Sequence, residues 1–219
     1  IYLEAGSNNA VTSNMTFSNS FSGILLYSAS NNTVTTNTSG PNGNHGIYLW
    51  SSSNNTVTAN QTGSNVNHGI YLYSNSSDNV LTRNTAISNS QYGIYLSWSS
   101  NNTFALNDVR LNTKYQIYID GTSLSDTVQK NNIVTSGTNP DSGVFNNTGS
   151  AFDFTRNYWN TTDSLAIRNK IYDTAAALGI KFEPYRLGVV DTTAGADTTA
   201  PDAPDTVAVV ASDTSIVLE

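Results

Sequence analysis

Gly46-Ile47-Tyr48-Leu49, continued by Asn54-Asn55-Thr56-Val57-Thr58-Ala59-Asn60, decides the fold because the same pattern keeps coming back. It returns as Gly69-Ile70-Tyr71-Leu72 with Asp78-Asn79-Val80-Leu81-Thr82-Arg83-Asn84. It returns again as Gly93-Ile94-Tyr95-Leu96 with Asn101-Asn102-Thr103-Phe104-Ala105-Leu106-Asn107. Upstream, Gly23-Ile24-Leu25-Leu26 leads into Asn31-Asn32-Thr33-Val34-Thr35-Thr36-Asn37. Ile24, Ile47, Ile70, Ile94 and Ile117 stand 23, 23, 24 and 23 residues apart. A fixed period of this length marks a solenoid, in which each repeat is one coil of a stack.

Each repeat holds two short alternating runs, Ile-Tyr-Leu and Thr-Val-Thr, divided by Asn, Ser and Gly. That is strand periodicity broken by turn residues. Leucine-rich repeats have a similar length but need several leucines per unit, and these units have too few. The expectation is an all-β parallel β-helix of about seven coils of 23–24 residues, each strand pairing with its counterpart one period away. Ile47, Leu49 and Val57 should point inward, with Ile70, Leu72 and Leu81, then Ile94, Leu96 and Phe104, as their equivalents. Tyr48 and Thr58 should point out. Coil one should place Ile1, Leu3 and Val11 inside.

A column of asparagines carries the second signature. Asn14, Asn37, Asn60, Asn84, Asn107, Asn131 and Asn157 each follow an inward apolar residue by three positions. Asparagine tolerates left-handed backbone angles at a turn, and stacked amides can bond one another from coil to coil. Their expected role is structural.

Along the chain, one extra residue near Tyr73-Ser74-Asn75 and another near Thr122-Ser123-Leu124 should be absorbed by surface turns. A longer insertion around Thr138-Asn139-Pro140-Asp141 precedes a seventh coil that ends at Asn157. From about residue 158 the character changes to a cap. A short helix is expected over Asp163–Tyr172, N-capped by Thr162 or Asp163, with Ile167 and Ile171 lying over the open end of the stack. Gly179-Ile180-Lys181-Phe182-Glu183-Pro184-Tyr185 reads as a closing strand. The first domain is thus 1–187. Residues 188–206 form an acidic Pro/Thr/Ala linker. Residues 207–219 read as the first strands of a β-sandwich module resembling fibronectin type III, which Thr199-Ala200-Pro201 would open. Because Ile1 falls in mid-strand, one repeat before Ile24, further coils or a cap are expected upstream.

Composition bounds the partners. Charged residues are only 11% of the chain, and the formal net charge is −7. Up to residue 120 the bases are Arg83, Arg110 and Lys114 and the acids Glu4, Asp78, Asp108 and Asp120, so the repeats are nearly neutral. No basic stripe exists to attract nucleic acid or an anionic membrane. There is no cysteine, hence no disulfide frame or thiolate metal site. No apolar run reaches the length of a membrane span.

The run Asn-Asn-Thr-Val-Thr-x-Asn with Gly-Ile-Tyr-Leu resembles the right-handed β-helix repeats of the NosD-like group. That group is related to the carbohydrate-binding and sugar-hydrolase superfamily, and the likeness covers roughly residues 1–157. Asn157-Tyr158-Trp159-Asn160-Thr161-Thr162-Asp163, with Ile171-Tyr172-Asp173 and Phe182-Glu183-Pro184-Tyr185, resembles the closure of secreted and surface-anchored members. The resemblance implies a right-handed helix of surface-layer or adhesin type. The same scaffold carries lyases, epimerases and adhesins, so it does not fix an activity. With two histidines and one methionine, the copper-delivery branch gains little support.

Enzymes that act on polysaccharides need clustered charge, as base and neutralising cation or as paired carboxylates. Only Asp108, Arg110 and Lys114 form a local group, and a solvated turn explains them better than a catalytic site. His45 and His68 should stack one coil apart, with Ser22, Tyr92 and Tyr115 in the same column. A third metal ligand is missing. No cofactor, no metal and no catalytic residue is therefore assigned. The leading contact candidates are aromatic: Tyr48, Tyr71, Tyr95 and Tyr118 in one outward column with Tyr2 and Phe145, and Tyr27, Trp50 and Tyr73 in a second, with Trp98 close by. They can hold a glycan, form a protein contact, or serve only to pack along their own columns. Of nine Asn-x-Ser/Thr sequons, Asn75 is the best placed for glycosylation, whereas Asn14, Asn37 and Asn60 should be inaccessible. The expected role is a structural and interaction segment of a larger secreted or surface-displayed prokaryotic protein, not an enzyme. Its expected partners are other modules of the same polypeptide or copies of itself. A glycan-binding module is the first alternative and a polysaccharide lyase or epimerase the second.

Overall fold

The computed structural model describes residues 1–135, 143–150, 152–173, 181–183 and 185–189. It is a parallel β-solenoid of about seven turns. Three sheets run along its length, and each complete coil gives one strand to each. The first sheet holds Tyr2–Glu4, Ile24–Tyr27, Ile47–Trp50, Ile70–Tyr73, Tyr92–Ser97, Tyr115–Asp120, Val144–Asn147 and Ile171–Asp173. The second holds Ala10–Thr12, Thr33–Thr35, Thr56–Thr58, Val80–Thr82, Thr103–Ala105 and Thr127–Gln129. Registry is one period per step: Ile24, Ile47, Ile70, Ile94, Ile117 and Val144 are successive partners. Each is shielded from water, as are Leu49, Leu72, Leu96, Val57, Leu81 and Phe104. Each such side chain contributes about 1.5–3 kcal/mol of burial.

The third sheet was not legible in the repeat. It comprises Met15–Thr16, Thr38–Ser39, Gln61–Gly63, Thr85–Ile87, Asp108–Arg110 and Asn132–Val134. Its inward column reads Thr16, Ser39, Thr62, Ala86, Val109 and Ile133, so the early coils show no apolar alternation there. The hydroxyls survive inside because they are paired. Thr16 Oγ1 donates to Ser39 Oγ at 2.9 Å, and Ser39 Oγ donates to the Gly46 carbonyl at 2.7 Å.

The asparagine column forms a continuous ladder. Asn60 Oδ1 accepts from both the main-chain N and Nδ2 of Asn37, at 3.0 and 2.9 Å. Asn60 in turn donates both groups to Asn84 Oδ1 at 3.0 Å, and its Nδ2 also reaches the Val34 carbonyl. The left-handed backbone angle is not on these asparagines. It falls one residue earlier, on Ser13, Thr36, Ala59, Arg83, Leu106, Lys130 and Arg156, so the ladder residues hold the corner together and their neighbours make the bend. Two more ladders stand at other corners. Asn9, Asn32, Asn55, Asn79 and Asn102 end on Asp126. Asn19, Asn42, Asn65, Asn89 and Asn112 end on Gln116, whose Oε1 accepts from Asn112 Nδ2 at 2.9 Å. Buried amides stay satisfied this way along the whole stack.

The ends differ from expectation in two places. Ile1 keeps the register of the inward Ile24 but is 44% exposed, because only one neighbouring coil covers it. The helix is short, Ser164–Arg168, with Asp163 as its N-cap accepting from the main-chain N of Leu165 and Ala166. Ile171 lies beyond it, in a strand that pairs with Val144–Asn147. The unpaired edge of that strand offers the chain a full ladder of hydrogen bonds, which outweighs another helical turn. Ile167 and Ile171 are both buried in the core. Lys181 bridges Asp153 in parallel, and Phe182 and Tyr185 pack against the core. The 138–142 insertion, Gly179-Ile180, Pro184, the linker from 190 onward and the 207–219 module lie outside the described residues. Among the described residues no helix is long and apolar enough to cross a membrane.

Candidate functional site: an aromatic face on the first sheet

Strand alternation puts three outward columns on the first sheet. The middle one is Tyr2, Leu25, Tyr48, Tyr71, Tyr95, Tyr118, Phe145 and Tyr172 in successive register. On one side stand His45, His68, Tyr92 and Tyr115. On the other stand Tyr27, Trp50, Tyr73, Ser97, Asp120 and Asn147. The structure thus brings all seven aromatic contact candidates onto one face.

Neighbouring coils place the rings at stacking distance, and the rings accept it. Tyr48 lies 5.0 Å from Tyr71 at an interplanar angle of 7°, and Tyr71 lies 4.5 Å from Tyr95 at 5°. Rings piled in this way spend their faces on one another and turn edges and hydroxyls outward. Tyr48 is outward from the core yet only 6% exposed, enclosed by His45, Trp50 and Tyr71. A ligand on this strip therefore meets ring edges and phenol oxygens, not the flat platform that the sequence column suggests.

The pile has a fault. Tyr95 and Tyr118 meet edge to face at 79°. Tyr95 donates its hydroxyl to Asp120 Oδ2 at 2.8 Å, while Tyr118 slides over to stack on Tyr92 at 4.6 Å. A second unbroken pile results: His45, His68, Tyr92, Tyr118, Phe145 and Tyr172, with centroids 4.5–4.9 Å apart. Beside it runs a polar rail. Asn67 donates to Asn44, Gln91 to Asn67, and Lys114 Nζ to Gln91 Oε1 at 3.1 Å.

Burial sets the electrostatics. It lowers the His45 imidazole to about 4 and that of His68 to about 3. Nδ1 of each ring accepts from a main-chain N of the next coil at 3.4 Å, so the neutral tautomer carries its proton on Nε2. Burial also pushes the phenols of Tyr48, Tyr71 and Tyr95 upward, and the bond to Asp120 adds to this at Tyr95. Among the described residues no three metal-ligating side chains come together. The group Asp108, Arg110 and Lys114 is divided. Arg110 Nε pairs with Asp108 Oδ2 at 2.9 Å on the third sheet, and Lys114 belongs to the rail. Asn37 and Asn60 are buried in their ladder, while Asn75 is exposed. Sequence reading passed over Asp120, which shares its column with Glu4, Tyr27, Trp50, Tyr73, Ser97 and Asn147 and is marked there by no pattern of its own.

Three sheets of in-register parallel strands with ladders at their corners define a parallel β-helix. The family described as "Right handed beta helix region" matches residues 1–133, and the chain belongs to it. The fold is similar to the crystal structure of the periplasmic alginate epimerase AlgG, with a TM-score of 0.53 at 18% identity over 74% of this chain and 44% of that one. The T265N mutant of the same enzyme gives 0.51 at 16% identity, over 83% and 46%. This chain spans less than half the length of those structures. A search of the curated proteins gives no match.

Proposed function

We propose that this chain is a rigid β-helical segment of a larger secreted or cell-surface protein, of surface-layer or adhesin type within the NosD-like group, and that its aromatic face is a contact surface for other protein modules or copies of itself. The observation that carries the reading is the double pile of rings, which fixes a stiff strip of tyrosine edges and hydroxyls on one side of the stack. Preorganised tyrosine and tryptophan are what protein interfaces concentrate at their centres, since little side-chain entropy is lost on contact. Sedimentation of the purified protein over a wide concentration range tests it. Self-association that weakens in Tyr71→Ala with the β-sheet spectrum intact supports the contact surface. A protein that stays monomeric, and captures no neighbouring module of its own polypeptide, refutes it.

The likeness in fold to an alginate epimerase favours a second reading, in which the same face meets a polysaccharide. As a binding module it would do so through edges and phenol oxygens. As an epimerase it would need a base, and the nearest candidate, Tyr95, has its phenol pushed up by burial and by Asp120, away from basicity at neutral pH. Proton exchange at C5 of a polyuronate, followed by NMR in deuterated water, separates the enzyme from the contact surface.

A further inference from the structure

Three of the sequons repeat one local design. Asn31-Asn32-Thr33, Asn54-Asn55-Thr56 and Asn101-Asn102-Thr103 stand at the same corner, where the chain enters the second sheet. The first asparagine makes the bend, with φ of 61°, 57° and 60° at Asn31, Asn54 and Asn101, an angle that asparagine tolerates. The second is buried and spent on the ladder: Asn32 passes its main-chain N to Asn55 Oδ1 at 2.8 Å, and Asn102 gives Nδ2 to Asp126 Oδ1 at 3.0 Å. The threonine opens the strand and points away from the core, exposed at Thr33 and Thr56 and half-buried at Thr103. Because the middle residue carries the ladder, the outer two are left over. The carboxamides of Asn31, Asn54 and Asn101 are exposed, and neither they nor the three threonine hydroxyls bond another described residue. The coil between Asn54 and Asn101 shows that the corner does not need them. It reads Asp78-Asn79-Val80, with the same bend at Asp78 (φ 57°) and the same rung at Asn79.

The other sequons are built differently. Asn14, Asn37 and Asn60 give Nδ2 to the next rung at 2.9–3.0 Å, and buried Asn146 gives its own to the Ser150 carbonyl at 2.7 Å. Asn75 and Asn160 are exposed. Around them, however, Ser77 Oγ accepts from the main-chain N of Ser100 at 3.0 Å, and Asn160 Oδ1 accepts from the Tyr158 hydroxyl at 3.3 Å.

We propose that this corner is a glycosylated edge, in which Asn31, Asn54 and Asn101 carry N-linked glycans. Asn-x-Ser/Thr is the acceptor pattern, and a bulky glycan persists where the fold does not use the amide that bears it. In the transfer, Nδ2 attacks the anomeric carbon of a lipid diphosphate-linked saccharide. A C–N bond forms, the C–O bond to phosphate breaks, the amide gives up one proton and the lipid diphosphate leaves. Asn31 and Asn54 are one strand spacing apart, about 4.8 Å, close to the thickness of one sugar ring, whereas Asn101 is two spacings from Asn54, about 9.6 Å. Asn101 therefore has room for its own glycan, and Asn31 and Asn54 compete. The inference rests on the secreted or cell-surface reading, because lipid-linked saccharides are spent outside the cytoplasm.

The test uses the protein recovered from the cells that produce it, in separate cytoplasmic and extracytoplasmic fractions, with each site read by glycopeptide mass spectrometry. Glycan is expected on Asn101 and on one of Asn31 and Asn54 per molecule, and none on Asn14, Asn37, Asn60 or Asn146. Thr103→Val should lose the glycan of Asn101 although that asparagine is untouched. Asn54→Asp should lose its own and raise the occupancy of Asn31. Both variants copy residues that already stand in the column, Val80 and Asp78, and so should fold. Extracytoplasmic protein with Asn31, Asn54 and Asn101 bare overturns the inference and leaves the secreted reading standing. Glycan retained on Asn101 in Thr103→Val, or found on the ladder asparagines of folded protein, also overturns it. Protein confined to the cytoplasm overturns both.

Discussion

Replacing Asp126 by asparagine should stabilise the protein at neutral pH and do nothing in acid. Asp126 closes the ladder that begins at Asn9, accepting through Oδ1 from the main-chain N and Nδ2 of Asn102 at 2.6 and 3.0 Å. In the earlier rungs the second atom of the side chain is an amide donor, and it finds carbonyls: Asn32 Nδ2 reaches Gly6 and Ser30, and Asn55 Nδ2 reaches Ala29. Asp126 puts Oδ2 in that place, buried and with no partner among the described residues. As a neutral acid it can donate there; as a carboxylate it cannot. Burial accordingly raises its pKa from 3.8 to about 7. The raised value means the folded state holds its proton more tightly than the unfolded one. The full stability is present below about pH 4, declines as pH rises, and is lost once pH passes about 7. About three units correspond to roughly 4 kcal/mol as an upper bound. For a chain of this size that is a Tm change on the order of 10 °C. Urea denaturation followed by circular dichroism from pH 4 to pH 8 measures it. Native protein and Asp126→Asn should coincide at pH 4 and diverge steadily above it. Parallel curves, or a gain at pH 4 equal to that at pH 8, would refute the reasoning.

The remaining expectations test other parts of the stack. Asn60→Ala takes the acceptor from two N–H groups of Asn37 and leaves Asn84 Oδ1 with one donor of two, and should cost roughly 2–6 kcal/mol at one to three per orphaned buried donor, seen as a lower urea midpoint. For His45 and His68 the sign is reversed. Folded values of about 4 and 3 lie below the unfolded 6.5, so their contribution is complete above pH 6.5 and disappears as pH falls through 4 and then 3. His68→Tyr, which copies Tyr92 one coil on, should flatten that acid limb in a pH titration of stability, and an unchanged limb would show that other groups drive it. Gly46→Ala should be poorly tolerated, because its Cβ would sit 2.6 Å from the Gly69 carbonyl and 2.8 Å from Thr62. Gly63→Ala meets nothing closer than 3.2 Å and should be mild by comparison; thermal melts of the two rank them.

What was legible followed from period. Apolar residues at Ile47, Leu49 and Val57 recur strictly, so two of the three sheets and their register could be read directly. The third sheet escaped because Ser39 and Thr62 give their hydroxyls to main-chain carbonyls, of Gly46 and of Thr85 in the next coil, and a paired hydroxyl leaves no hydrophobic trace. One amide ladder was seen where three exist. Asn32 and Asn42 sit among other asparagines, so composition hid their column. The aromatic columns were placed correctly, but their ring planes depend on contacts that no spacing encodes. The slide of Tyr118 onto Tyr92, and the enclosure of Tyr48, come from side chains choosing among neighbours after the coils are wound.

The ladders also give the rod a direction. From rung to rung the main-chain N–H is passed to the amide oxygen of the next coil, and that oxygen faces back toward Ile1, in all three columns, while Nδ2 also reaches back to a carbonyl of the preceding coil, as Asn60 does to Val34 and Asn65 to Ser39. Side-chain dipoles that alternate would cancel; these add. The first rungs in this chain are Asn9, Asn14 and Asn19, and the columns terminate separately on Asp126, Gln116 and Asn157. A stack so polarised is electrically a vector, and the current of hydrogen bonds runs with one sense from coil to coil.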